Sequence, residues 1–374
     1  FYPQVGFLFA WCDFLIIRPC NIGMMAYVFA RYARQLIHVD HQYTFVGLAV
    51  TSVVLLSLIH LIGLRPGVWS LNILVLAKIV GLAAVVGAAF WTNAPDGASQ
   101  PWPPLVTVAE TSSGGISLAL LFVLFTYGGW AEVSFVAAEI KDPRRNAIRS
   151  LVIGVLLVTA IYVALNLVIV QSLGMGGFAD SKAVAHDVIQ RRFGNAAAST
   201  VDVLICLSCL GAIQGTMLAG SRLYCAWGAD SRWLSWIGEW NKSRDLPVRA
   251  ILIQSAITIG LIVAFGPDEG AFKRLIVFST PFYWFFFTLV GIAVLVLRRN
   301  LNPNDHEVSH ESGTYLYRMP CFPIPAVVLI GSSGWLFYSS TTYAWSQVAW
   351  QSVWAIIVLA IGIPLALISF RENR

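Results

Sequence analysis

Ten apolar runs, each long enough to cross a lipid bilayer, limit what this chain can fold into. They fall at about 5–33, 45–62, 70–91, 116–140, 148–173, 197–227, 249–266, 272–297, 321–340 and 348–369. A hydrocarbon core about 30 Å thick calls for roughly 20 apolar residues in helical form. Lipid offers no partner to a free backbone N–H or C=O, so the runs must be helices packed as a bundle. Most connections are short, and the largest polar stretches are 228–248 and 298–320. Only 11% of residues are charged and 57% are apolar, where a soluble domain would carry about 25% charge. The reading is a single polytopic all-α membrane domain over 1–374.

A net charge of +5 does not indicate nucleic-acid binding here, because the basic residues alternate between loops. Of the 24 lysines and arginines, fifteen fall on one side of the bundle, seven on the other, and Arg18 and Lys78 inside runs. By the positive-inside rule the richer side is cytoplasmic. That places the start of the first run and the C-terminus in the cytoplasm of a cell-membrane protein. The six cysteines lie in or beside runs, so no outer disulfide is expected, and Cys206 and Cys209 read as small residues in a helix interface. The sequon Asn241-Lys242-Ser243 falls on the cytoplasmic side, where it goes unused. Chain start at Phe1, with the first run following almost at once, predicts that sequence upstream is missing.

Chemistry-bearing residues concentrate in a few runs. The fourth contains Phe125-Thr126-Tyr127-Gly128-Gly129-Trp130 and runs on to Lys141-Asp142-Pro143-Arg144-Arg145-Asn146. Glycines that break a membrane helix free backbone groups, which is tolerated where they line a protein cavity, as in the midplane sites of secondary transporters. Glu132 follows one turn after the pair. The first run holds Asp13 and Arg18, costly in lipid unless paired or wet. They either hold helices together or stand in a transport path. Lys78 either snorkels to the membrane face or points inward, where desolvation lowers a lysine's pKa. In the sixth run Gly211 and Gly215 permit close helix approach. Ser208, Gln214 and Thr216 form a polar stripe that either packs or faces a cavity. Pro281 in the eighth run predicts a kink, beside the deep aromatics Tyr283 and Trp284. Catalytic signatures such as H-E-x-x-H, G-x-S-x-G and the phosphate loop are missing, and the six histidines have no metal-ligand spacing. No enzyme, cofactor or metal site is expected.

Four stretches carry a family resemblance: Ile16-Ile17-Arg18-Pro19, Ala77-Lys78, Phe125 to Asn146, and Leu207-Ser208-Cys209-Leu210-Gly211 with Ser221-Arg222-Leu223. The chain resembles the L-type amino-acid transporter branch of the amino acid–polyamine–organocation superfamily, in its prokaryotic permeases. The resemblance implies a twelve-helix fold with a five-plus-five inverted repeat, the ten runs matching helices three to twelve and the first two being absent. It also implies that Phe125 gates the substrate, that Gly128 and Gly129 form the unwound stretch flanked by Tyr127 and Trp130, and that Lys78 replaces a sodium ion. Cys209, Ala212 and Thr216 match side-chain-pocket positions, as do Tyr283 and Trp284. The implied function is alternating-access, sodium-independent transport of amino acids, with exchange and proton coupling both open. Glycine at 128, where cation carriers place an acid, implies a neutral substrate. Ala131 stands where an asparagine is frequent, which puts that polar contact in doubt. The loop around Gln35–Gln42 has no cysteine for a disulfide-linked glycoprotein subunit, so none is expected. Two alternatives remain: a polyamine or other organic-solute carrier on the same fold, and a transport-inactive fragment.

Overall fold

The structure is a computed structural model and describes residues 3–39, 41–91, 119–120, 122–124, 126–133, 140, 142–181, 183–230, 234–268, 270–299, 321–347 and 349–371. Among these residues it is almost wholly helical. α1 (Pro3–Cys12), a π turn (Asp13–Ile17) and α2 (Arg18–Ile37) form one continuous span. There follow α3 (Gln42–Ile62), α4 (Leu64–Trp91), a 3-10 turn (Gly128–Glu132), α5 (Pro143–Asp180), α6 (Val184–Phe193) and α7 (Asn195–Asp230). The chain continues through α8 (Val248–Phe265), α9 (Ala271–Arg299), α10 (Ile324–Gln347) and α11 (Ala349–Arg371). Among the described residues, seven helical stretches are long and apolar enough to cross a membrane, and α11 contains a shorter apolar segment, Val353–Ser369.

Local sequence explains several of these boundaries. Proline inside a helix has no N–H to give and clashes with the carbonyl four residues back. Pro19 would do so in the middle of the first span, and the chain answers with a π turn just before it, closed by the Arg18 N–H on the Asp13 carbonyl. α2 ends where His38 turns left-handed, at φ 53°. His41 caps α3 by accepting the Tyr43 N–H at 3.3 Å. Gly63, at φ 147°, lets the chain reverse between α3 and α4. In α10 the hydroxyls of Ser332, Ser333, Ser340, Thr341 and Thr342 bond carbonyls of their own helix, so this polar run satisfies itself locally.

The first span is the hub. α2 packs against α3, α7, α8 and α9, and Cys20, Ile22, Met24, Ala26, Tyr27 and Ala30 on it are buried. The Tyr27 hydroxyl sits between the Ile262 and Gly266 carbonyls at 2.6 and 2.8 Å, tying α2 to the end of α8. α1 packs on α11, where the Trp11 indole N–H donates to the Val358 carbonyl at 2.9 Å. α3 and α8 share a bond between Ser57 and Ser255 at 2.7 Å. The α4–α7 seam is built on small residues: a Cβ on Gly211 would lie 3.0 Å from Leu74, and one on Gly81 would lie 2.8 Å from Leu204. Close backbone approach of this kind is how membrane helices gain packing without a hydrophobic drive between them.

Three features add to the sequence reading. α5 runs past 173 to Asp180, and the connection after it contains the short helix α6, packed on α7 through His186 and Asp202 at 2.7 Å. The eighth run stays one helix, α9, through Pro281. Hydroxyls of Ser279 and Thr280 bond the Leu275 and Ile276 carbonyls in the turn before that proline. Gln214 does not face a cavity. It is buried, and its amide N–H groups reach the Gly67 carbonyl at 2.7 Å and the Ser70 hydroxyl at 2.6 Å, pinning α7 to α4.

Candidate functional site

The glycine pair sits at a change of helix type. The Tyr127 N–H still bonds the Val123 carbonyl at 3.3 Å. Tyr127 then takes φ −88° and ψ 1°, outside the α range, and Gly128–Glu132 winds as a 3-10 turn. Tightening the turn changes which carbonyls are satisfied within the helix. The Gly128 carbonyl is met from outside, by the Tyr283 hydroxyl of α9 at 2.9 Å. The fit is close, since a Cβ on Gly128 would lie 3.1 Å from that hydroxyl oxygen, whereas one on Gly129 would meet nothing within 4 Å. Gly128 is therefore sealed by α9 while Gly129 is open.

Aromatic rings fix the turn on both sides. Tyr127 packs edge-on against Tyr162 of α5 at 5.6 Å, and its hydroxyl bonds Thr159 at 3.1 Å. Trp130 lies 4.8 Å from Phe287, which is 4.5 Å from Tyr283, and Tyr283 stands perpendicular to Trp284 at 5.5 Å. Tyr283 and Trp284 also border a cavity of about 10 Å³ with Ile17, Asn21, Ser279 and Thr280, which is room for about one water.

Beneath the turn is an ionic centre. Arg18 Nε donates to Asp13 Oδ2 at 2.7 Å, and Arg18 Nη1 donates to Glu132 Oε2 at 3.2 Å and to the Thr216 carbonyl at 3.4 Å. The Tyr224 hydroxyl donates to Asp13 Oδ2 at 3.3 Å. Arg18 and Asp13 are 2% and 3% exposed, while the Glu132 side chain is half-exposed. Residues five apart point to different sides of an ordinary α-helix. The π turn brings Asp13 and Arg18 onto one face. Space for the guanidinium comes from Gly220 on α7, where a Cβ would stand 2.6 Å from Arg18 Cδ. The pair thus holds helices together, and it does so at the 3-10 turn.

The predicted residues divide accordingly. Gly128 and Tyr283 touch, Trp130 joins them through Phe287, and Thr216 reaches Glu132 through Arg18. Thr216 Oγ1 bonds the Ala212 carbonyl at 2.9 Å, so that hydroxyl is engaged within α7. Cys209 is buried on the same helix, and Cys206 beside it donates to the Phe29 carbonyl of α2 at 3.8 Å. Phe125 lies outside the described residues. For Lys78 the sequence leaves two positions open, at the membrane face or pointing inward. It shares a helical stripe of α4 with Leu71, Leu74 and Gly81, which meet α7, yet its side chain is exposed rather than buried. The sequence reading missed the link from Arg18 to Glu132. Its only local signals were the costly Asp13–Arg18 spacing before Pro19 and a glycine at 220.

Known proteins give this chain a family. The human b(0,+)-type amino acid transporter 1 is 25% identical over 79% of this chain and 60% of its own length. Its mouse counterpart is 23% identical over 97% of this chain and 71% of its own. The mouse large neutral amino acids transporter small subunit 2 is 26% identical over 69% of this chain and 49% of its own. The chain therefore spans less than two thirds of the human relative's length. The model of the amino acid permease family matches residues 1–363, and the chain belongs to that family.

Proposed function

We propose that this chain forms the substrate-handling part of a secondary transporter that carries neutral amino acids by alternating access and does not need sodium. The observation that carries the reading is the 3-10 turn at Gly128–Glu132, whose Gly128 carbonyl is sealed by Tyr283 while Gly129 stays open. Exposed backbone polar groups at membrane depth have a use where they meet a polar solute. Names of the relatives, all amino-acid transporters, support the same class of solute. The substrate set we assign is Tyr127, Gly128, Gly129, Trp130, Cys209, Ala212, Thr216, Tyr283 and Trp284, with Phe125 as the gate. Glycine at 128, where the resemblance puts an acid in carriers of cations, supports a neutral substrate over a polyamine. We also assign ten spans to 1–374, a cytoplasmic start to the first span and a cytoplasmic C-terminus, and no disulfide-linked glycoprotein subunit.

Proteoliposomes holding the complete polypeptide that carries these residues test the reading. Saturable leucine uptake should persist when sodium is replaced by potassium, and unlabelled leucine should compete better than lysine or arginine. Stronger competition by the cationic amino acids would overturn the neutral assignment. Absence of saturable uptake for a full amino-acid panel would remove the transporter reading.

Lys78 gives a separate outcome. Lys78 lies on the stripe of α4 that meets α7, and we assign its ammonium the place of a coupling cation between those helices. Lys78→Ala should lower turnover while leaving membrane insertion and substrate competition in place. Unchanged uptake by that variant would make Lys78 a snorkelling residue only.

A further inference from the structure

The connection between α7 and α8 is folded back on the bundle. A Cβ on Gly228 would stand 2.7 Å from Gly238 Cα, and the Cys225 thiol donates to the Gly238 carbonyl at 3.3 Å. The chain thus returns along the last turns of α7 instead of running on beyond Asp230. Ile237 is buried with Tyr224, Trp227 and Ala250, and Leu246 is buried as well. Between them a tight turn closes on Asn241. Its N–H bonds the Leu246 carbonyl at 3.0 Å, and its side-chain oxygen accepts the Ser243 and Arg244 N–H groups at 3.0 and 3.1 Å. Lys242, Ser243 and Arg244 form the exposed tip of that turn. Two observations set its height. Arg244 is four residues from Val248, where α8 and its membrane-length apolar stretch begin. Four residues reach at most about 14 Å, and the headgroup zone is about 5–8 Å deep on each face of a bilayer. A Cβ on Gly63 would also lie 3.6 Å from the Arg244 carbonyl oxygen, so the tip rests where α3 ends and α4 begins.

Charges in residues 234–249 are sorted by this fold. Of the two acids, Glu239 is paired with Arg249, and Asp245 accepts the Trp240 indole N–H at 2.9 Å. Lys242 and Arg244 have no side-chain partner among the described residues, so the charges presented outward are the two cations at the tip. Trp236 and Trp240 are exposed on either side of Gly238. Large amphipathic rings at the level where spans end suit the zone between hydrocarbon and water. We propose that the turn Asn241–Leu246 docks an anionic phospholipid, with Lys242 and Arg244 on the phosphate and Trp236 and Trp240 against the glycerol and the first acyl carbons. An acidic soluble partner would meet the same cations but would leave both indoles unused. The orientation assigned above puts this turn on the cytoplasmic side, whose leaflet carries the anionic lipids. The inference rests on the membrane placement of α7 and α8 and is independent of the solute carried.

Two measurements on the complete polypeptide test the site. The first is native mass spectrometry after equilibration in nonionic detergent with equal amounts of phosphatidylglycerol and phosphatidylcholine. Wild type should retain phosphatidylglycerol in preference. Lys242→Gln and Arg244→Gln should each lower that preference about fivefold, the effect of one basic residue at an anionic surface. Lys273→Gln, at the start of α9, makes the same change in net charge at the other end of α8 and should leave the preference in place. All three side chains are exposed, so folding is not at stake. No preference in wild type, or one that survives in Lys242→Gln/Arg244→Gln, would overturn the site. An equal loss in Lys273→Gln would reduce it to net charge, and displacement of the lipid by inorganic phosphate would make it a free-anion site. The second is quenching of tryptophan emission in nanodiscs of phosphatidylcholine brominated near the acyl carbonyl. The emission that Trp236→Phe/Trp240→Phe removes should be quenchable. If that emission is untouched by the brominated lipid, the loop stands in water and a lipid occupant is ruled out.

Discussion

Arg18→Met should cost about 3–5 kcal/mol of stability, the usual penalty for removing one partner of a buried ion pair. Arg18 is 2% exposed and holds four elements at once: the π turn through Asp13, the 3-10 turn through Glu132, α7 through the Thr216 carbonyl, and α2, of which it is the first residue. Methionine replaces most of the stem's volume beside Gly220, so packing changes little. What is lost is the charge, which leaves Asp13 buried with only the Tyr224 hydroxyl among the partners named here. The double variant Asp13→Asn/Arg18→Met removes both members of the pair and should recover a large part of the loss, since a buried pair replaced by neutral groups is often close to neutral in stability. Thermal unfolding of the three proteins in one detergent measures this. A single variant as stable as wild type would show that the centre is wet and contributes little.

The sequence revealed the membrane class plainly and the ionic centre only in outline, for a physical reason. Spanning helices are written locally, because each must bury its own backbone polar groups, and a run such as 249–266 is enough to place α8 at Val248–Phe265. A change of helix type at the glycine pair was legible on the same ground, since Gly128-Gly129 weakens the very bonds a membrane helix depends on. Tertiary pairing is not written locally. Arg18 and Glu132 are 114 positions apart, and no spacing rule joins them. Gln214 looked like one member of a polar stripe, but its partners Gly67 and Ser70 are on α4. The π turn was hidden for another reason. Pro19 signals trouble in a helix, but kink, break and π turn are all answers to it, and the choice falls to Asp13 and Arg18, which need to meet. Residues 184–193 are polar enough to read as loop, and α6 forms because His186 and Asp202 dock it on α7.

Gly128→Leu should lower transport at least about tenfold, equivalent to about 1.4 kcal/mol in the rate-limiting barrier, while the protein still inserts and folds. A side chain at 128 starts 3.1 Å from the Tyr283 hydroxyl oxygen and 3.7 Å from its Cζ. Leucine must therefore displace the ring, which also packs on Phe287 and Trp284. Two things change together: the Gly128 carbonyl loses its donor, and apolar bulk enters beside the open backbone of Gly129. Tyr283→Phe separates them, because it removes the donor and keeps the ring. An unmade bond to a part-buried carbonyl costs about 1–3 kcal/mol, so Tyr283→Phe should impair transport, but less than Gly128→Leu. Gly154→Ala on α5, where an added Cβ meets nothing within 4 Å, is the control for substituting a membrane glycine as such. Initial uptake rates, normalised to protein in the liposome membrane, give the comparison. Wild-type uptake by Gly128→Leu would mean that the 3-10 turn is only a packing adjustment, and the substrate would have to be sought elsewhere in the bundle.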